Sequence, residues 1–400
     1  MKKNGFTLVE LLSIVVILGI IVVVALPQIS GSIGSKKEKQ YNKIVKIVEN
    51  AGKVYLIENV TKDSVSIDIL IKNDYLTSGL KNPINNTPLT GCVKKITSDG
   101  VTKYKYEVDN CPNYLTTYIM DLYDNEETRI ENGLKKDNTP DQNIRYYGSN
   151  PNNYVRFNNE LWRIIGVFGN NVKLVRSESL GSLSWDSSAS SVNYGYGVNE
   201  WSQSALKNYL NTMYYGGTSV TCYNGQNKKE VTCPANKLDN TSKSLIDNYT
   251  WNTGAIELGK ASDTLAFYKD ERGNLTGLIN NDTVERTTTW PGYIGLPYAT
   301  DWAYASGNDI CEVNMRSKDS SNKYICLNDN WMSKGEEYWT LSPRASNVND
   351  IWMVSNFVSV WTNSASSPYA LHPSIYLKNN VQIISGTGTS SDPYILKAGV

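Results

Sequence analysis

The chain has 400 residues, with 39 basic side chains balanced by 39 acidic ones and a single histidine. That length calls for two or three domains. The zero formal charge argues against a nucleic-acid partner drawn in by bulk charge, and one histidine excludes an H-E-x-x-H zinc site. The excess of 27 tyrosines over 5 phenylalanines suits a half-wet core or a secreted surface, since tyrosine carries a polar tip.

The first element is apolar. From Phe6 to Leu26 Glu10 is the one strongly polar side chain, and a helix over that stretch spans roughly 32 Å, enough to cross a bilayer core. The run is too long for a secretory signal, and the small-residue step Asn4-Gly5 lies before it rather than after it. Lys2 and Lys3 favour a cytoplasmic N-terminus. A carboxylate inside such a helix costs on the order of 2.5–3.5 kcal/mol at the centre and less near the end. Either Glu10 snorkels to the headgroups, or it meets a cation at its own depth. Cleavage after Gly5 would create that cation, the free amine of Phe6.

Lys2-Lys3-Asn4-Gly5-Phe6-Thr7-Leu8-Val9-Glu10 resembles the leader of type IV prepilins and pseudopilins. The resemblance implies that a prepilin peptidase cuts after Gly5 and that Phe6 is methylated. It also implies that Glu10 aids assembly by meeting a neighbouring subunit's N-terminus, and that Pro27 kinks the helix. The implied partners are that peptidase, other pilin subunits through the N-terminal helix, and the membrane before assembly. The chain would leave the membrane for a pilus or the cell surface.

Past Pro27 the pattern turns amphipathic. Tyr41, Ile44, Ile47, Val48, Ala51, Val54 and Tyr55 mostly recur at three or four residues. One helix is therefore expected over 6–58. A small headgroup follows over 59–112, with Ser66 capping a short helix. Cys92-Val93 and Lys103–Val108 read as two strands joined at Ser98-Asp99-Gly100. Residues 113–145 are polar and acidic and read as linker.

A tryptophan-rich domain is expected over 146–400, because all ten tryptophans fall there. Tyr154–Phe157, Leu161–Phe168 and Val172–Arg176 form a three-stranded meander with turns at Asn158-Asn159 and Gly169-Asn170-Asn171. Ala205, Leu206, Tyr209, Leu210 and Met213 share a helical face. Trp162-Arg163-Ile164-Ile165-Gly166, Trp339-Thr340-Leu341-Ser342-Pro343 and Pro373-Ser374-Ile375-Tyr376-Leu377 resemble an uncharacterised bacterial extracellular module. More distantly, the domain resembles C-type-lectin-like and formylglycine-enzyme-like folds, although the Arg-Pro pair usual near their end is here His372-Pro373. The expected fold class is thus α+β. It comprises a long N-terminal helix with a small pilin-like antiparallel sheet, then a larger β-rich α+β domain of C-type-lectin-like character.

Cys92, Cys111, Cys222, Cys233, Cys311 and Cys326 fall as three local couples without a C-x-x-C, which points to disulfides rather than zinc. Sequential pairing is the favoured one of 15 arrangements, with free thiols the alternative. No catalytic residue stands out. His372 is read as structural, and no G-x-S-x-G elbow is present. Asp186, Glu200, Glu257, Asp301 and Glu336 could serve glycoside hydrolysis by residue type alone. No metal ligand is assigned, and no cofactor is expected. Calcium is the candidate held open, on the oxygen-rich stretches 136–143, 279–283 and 327–331, although such clusters are usually turns. The expected function is a pilin-like subunit, minor or at the tip, displaying a binding or adhesion domain to a glycan, protein or surface. The alternatives are a pseudopilin of a secretion or DNA-uptake system, a surface-anchored glycan-acting enzyme, and a purely structural cap.

Overall fold

The computed structural model describes residues 33–399 apart from 61, 110, 112, 258–262, 274–286, 314, 316–325, 346 and 357–358. Gly5, Phe6, Glu10 and Pro27 lie outside the described residues, as does the apolar stretch 6–26. Among the described residues no helix is long and apolar enough to cross a membrane. The chain forms two compact units, Met1–Pro112 and Asn113–Val400. Both mix helices with antiparallel strands, so the α+β class stands at that level.

In the first unit the helix Ile33–Glu58 lies against a three-stranded sheet of β1 (Ser64–Ser66), β2 (Cys92–Ser98) and β3 (Val101–Glu107). Ile44, Val48, Ala51 and Tyr55 repeat at four, three and four residues and are buried against Val65, Leu70, Val93 and Tyr106. The short helix Ile67–Lys72 starts at Ser66, whose hydroxyl accepts the Ile69 N–H at 3.2 Å. Asp99 and Gly100 both take positive φ, which the tight β2–β3 turn requires. The pairing of β1 with β2 was not expected from sequence: its burial alternates over three residues, too few for a period to register.

The second unit begins where a linker was expected. Residues 115–124 form a helix whose Leu115 and Ile119 are buried in the core, and a second helix follows at Glu126–Glu131. Strands β4 (Leu134–Lys136) and β5 (Ile144–Tyr146) complete the segment. The polar, acidic part begins only after Tyr123; before it the helix carries Leu115, Tyr118, Ile119, Met120 and Leu122. The meander follows as β6 (Tyr154–Phe157), β7 (Glu160–Phe168) and β8 (Asn171–Arg176), with Asn158 and Asn159 both left-handed at the first turn. Gly169 and Asn170 make the second turn, and Asn171 already belongs to β8.

Strand β9 (Ser182–Ser184) precedes a helix that runs from Ala205 to Asn208 and widens into a π turn over Tyr209–Tyr215. It buries Leu206, Tyr209 and Leu210, and Ser204 caps it by accepting the Lys207 N–H. The disulfide-closed hairpin of β10 (Cys222–Tyr223) and β11 (Glu230–Val231) comes next, then β12 (Tyr249–Asn252), paired with β13 (Thr289–Gly292). After β14 (Ile294–Gly295) come the helix Ala299–Tyr304, β15 (Tyr338–Pro343), β16 (Asp350–Ser355) and β17 (Ser359–Ser364). The last strands are β18 (Pro368–Ala370), β19 (Ser374–Leu377), β20 (Val381–Ser385) and β21 (Tyr394–Ala398).

Besides the two-stranded pairs β10-β11 and β12-β13, two larger sheets organise these strands. The larger runs β14-β19-β8-β7-β6-β21-β20, with β5 also pairing with β7 and β4 with β5; the smaller runs β17-β16-β15-β18-β9. Every tryptophan except Trp290 and Trp361 is buried between and around them. Gly166 has a reason to be glycine: an added Cβ would lie 2.1 Å from the Ile144 carbonyl oxygen, where β5 crosses the β7 bulge.

Candidate functional site

The second unit concentrates its polar chemistry in two places, one buried and one exposed. The buried place is an ion network. Lys173 on β8 donates to Asp301 Oδ2 at 2.5 Å, and Arg145 on β5 contacts Asp301 Oδ1 at 2.6 Å and Asp137 Oδ2 at 2.9 Å. All four side chains are essentially inaccessible. The Lys173 ammonium lies 4.0 Å from the Tyr298 ring centroid, with Tyr376 and Trp251 beyond it. Burial holds Lys173 down at about 8 against the pull of Asp301. Burial pushes the Asp301 carboxyl up, but Lys173 and Arg145 more than offset it and leave it below the ordinary range. Beside this network Glu271 accepts from Thr300 Oγ1 at 2.6 Å and Ser342 Oγ at 2.8 Å, and burial raises its carboxyl. These groups tie helices 264–272 and 299–304 to both sheets, and sequence reasoning missed Arg145, Lys173 and Glu271. Lys173 carried a signal, a charge within a segment read as strand; Arg145 lay in the stretch read as linker, and Glu271 in one where no element was expected.

The exposed place is the loop between β9 and the helix at 205. Its base is Asp186, whose Oδ2 accepts the Val198 N–H at 2.8 Å and whose Oδ1 accepts the Ala205 N–H at 3.0 Å. Ser188 Oγ donates to the Val192 carbonyl and accepts the Gly197 N–H. The disulfide hairpin clamps one side: the Asn227 N–H donates to the Gly195 carbonyl at 3.2 Å, and the Lys228 N–H to Ser187 Oγ at 2.9 Å. Asn199 clamps the other, its amide donating to the carbonyls of Arg344, Asn347 and Asp350. On this base stand Val192, Tyr194 and Tyr196, exposed by 48%, 85% and 37%. Asn193 and Tyr194 both hold positive φ, at 47° and 55°, a conformation a bulky side chain avoids. Nothing in the sequence marked this loop: Ser, Asn and Gly identify a turn but not the strain within it.

The other residues singled out from sequence lie apart. The six cysteines pair in sequence order, Cys92–Cys111, Cys222–Cys233 and Cys311–Cys326. His372 is fully buried, bridging the Arg176 carbonyl and Glu336 Oε1 at 3.0 Å each. Both partners are acceptors, so the ring fills the bridge as an imidazolium or shares a proton with Glu336, while burial lowers its pKa. Glu200 accepts from Ser202 and from Thr287 Oγ1. The Glu257 backbone N–H donates to Asp270 Oδ2 at 3.4 Å. Each of the other four carboxylates has partners of its own: Asp186 the Val198 and Ala205 N–H groups, Glu200 Ser202 and Thr287, Asp301 Lys173 and Arg145, and Glu336 His372.

In the stretch 136–143 Asp137 is filled by Thr139, Asn143 and Arg145. In 327–331 Asn330 bonds the Trp302 carbonyl and the Met332 N–H. The stretch 279–283 lies outside the described residues. Among the described residues no group of three or more His, Cys, Asp or Glu side chains could hold a metal ion.

Residues 1–26 match the family model of the prokaryotic N-terminal methylation motif. That motif supports a type IV pilin-like or pseudopilin protein, and it implies processing by prepilin peptidase, pilin assembly and a path from membrane to cell surface. No curated protein and no solved structure matches the chain. The resemblance of the second unit to the tryptophan-rich module and to C-type-lectin-like folds therefore gains no support from them.

Proposed function

We propose that the chain is a minor or tip subunit of a type IV pilus-like filament, with the second unit as its binding domain outside the cell. Cleavage after Gly5 frees the Phe6 amine. Glu10 of one subunit then pairs with that amine on its neighbour, and Pro27 bends the helix on its way out of the filament core. The observation that carries this reading is the conjunction of the methylation motif at 1–26 with a second compact unit running from Asn113 to Val400. A repeated major subunit would crowd with that bulk at every position, whereas a tip position would not.

The second unit binds rather than catalyses and needs no cofactor. Its candidate carboxylates are engaged in caps, loop clamps and ion pairs, while the exposed aromatic loop offers rigid contact residues. The test has two parts. Mass spectrometry of sheared surface material should give a peptide beginning at methylated Phe6; an intact Met1 confined to the membrane fraction overturns the filament reading. Deleting residues 113–400 should leave filaments formed and abolish adhesion; loss of the filaments themselves would make the unit a structural cap.

A further inference from the structure

The loop between β9 and the helix at 205 is built like a platform. Tyr194 stands 85% exposed, so its ring adds nothing to the core. Yet it sits on a base fixed from three sides, by Asp186, by the disulfide hairpin and by Asn199. A contact residue fixed before binding loses little entropy on binding.

The size of the apolar face limits its partner. Tyr194 with parts of Val192 and Tyr196 offers at most roughly 300 Å², whereas a stable protein interface needs about 800 Å² from each side. In the same loop Ser190, Ser191 and Asn193 are exposed or half-exposed hydroxyls and amides, and exposed Asn227, followed by Lys228 and Lys229, lies on the hairpin whose backbone bonds Gly195 and Ser187. A flat apolar ring on a loop rich in uncharged donors and acceptors fits a pyranose. The axial C–H bonds of the sugar meet the negative face of the aromatic ring, and its hydroxyls meet the amides.

We propose that this face binds a pyranose unit of a cell-surface glycan, stacked on Tyr194. The proposal deepens the reading of the second unit as a displayed binding domain and rests on it.

Full-length protein in detergent micelles would be passed over an immobilised panel of neutral and acidic oligosaccharides. At least one sugar should be retained, and Tyr194→Asn should weaken that binding at least tenfold. Asparagine accepts the left-handed backbone, so the loop persists, and a heat-unfolding midpoint no lower than the parent's would verify that. Tyr194→Phe should stay within threefold of the parent, because the ring is kept. Retention of no sugar overturns the proposal, as does a sugar held equally by Tyr194→Asn, or capture of a protein ligand through this loop. The methylated Phe6 peptide reports separately on display. If it is present while no sugar binds, the glycan assignment falls and the filament reading stands; a sugar bound without that peptide gives the reverse.

Discussion

Asp301→Asn removes one buried charge at constant volume, and the structure sets what that costs. Lys173, fully buried, loses the carboxylate at 2.5 Å, while Arg145 keeps Asp137 and loses its contact at 2.6 Å. Breaking a buried pair from one side costs about 3–5 kcal/mol. Lys173 caps its own share, because burial already holds it at about 8. At pH 7 shedding its proton costs on the order of 1 kcal/mol, and the variant can take that route. Roughly 2 kcal/mol more falls on Arg145 and the Tyr298 N–H, which exchange a carboxylate for an amide. The expected loss at pH 7 is about 3 kcal/mol, or roughly 6 °C in midpoint for a unit this large.

The pH dependence gives a second check. Between about 8 and the ordinary value of 10.5 the unfolded chain keeps the Lys173 proton and the folded chain does not. The unfolded state then binds more protons, so this group makes parent stability rise with pH over that window. The Asp301→Asn deficit should accordingly shrink by about 1 kcal/mol at pH 8.5, where the neutral amine is favoured in both proteins. Heat unfolding followed by near-ultraviolet circular dichroism reports on this unit, since all ten tryptophans lie in it. A midpoint shift under about 2 °C at pH 7, or a deficit identical at pH 7 and 8.5, would refute the reasoning.

Three further outcomes are expected. Tyr194→Gly should raise stability by about 0.5–1 kcal/mol in denaturant titration, because it relieves a left-handed tyrosine; a fall would mean the ring packs in solution. Replacing Cys311 and Cys326 together by alanine opens a loop of sequence separation 15. That should cost about 3 kcal/mol, read as a lower midpoint that reductant no longer changes at this bond. Gly166→Ala should cost about 3 kcal/mol by forcing β5 and Arg145 away from β7, and hydrogen exchange should then show the β5 amides opening first.

Local pattern made much of this architecture legible. The four-three-four spacing of Ile44, Val48, Ala51 and Tyr55 gave the helix face of the first unit. The Asn158-Asn159 pair gave a hairpin turn, because few other residues adopt φ near 55° twice in succession. Elements held by distant partners were not legible. Residues 113–145 turn polar and acidic after Tyr123, which hid the apolar helix at their start, where Leu115 and Ile119 fill the core of the unit. The ion network joins residues 137, 145, 173 and 301, so no window of sequence contains it. Tyr194 looked like one tyrosine among 27, and its exposure and backbone set it apart.

The strand order of the larger sheet also dictates when this unit can be finished. Strand β6 sits between β7 and β21, β8 sits between β7 and β19, and the Ile383 N–H bonds the carbonyl of Asn113 at the very start of the unit. The first strands made are therefore completed by the last. If this unit crosses a membrane from residue 113 onward, it cannot close this sheet until residues 381–399 have emerged. Until then Tyr118 lacks the Tyr394 ring 5.6 Å away and β6 lacks its neighbour β21, so a chaperone or a protease waiting at the exit has the whole translocation time in which to act. Release of the C-terminus becomes the checkpoint for the domain, and a nonsense mutation a few codons from the end should be as damaging as one near the middle.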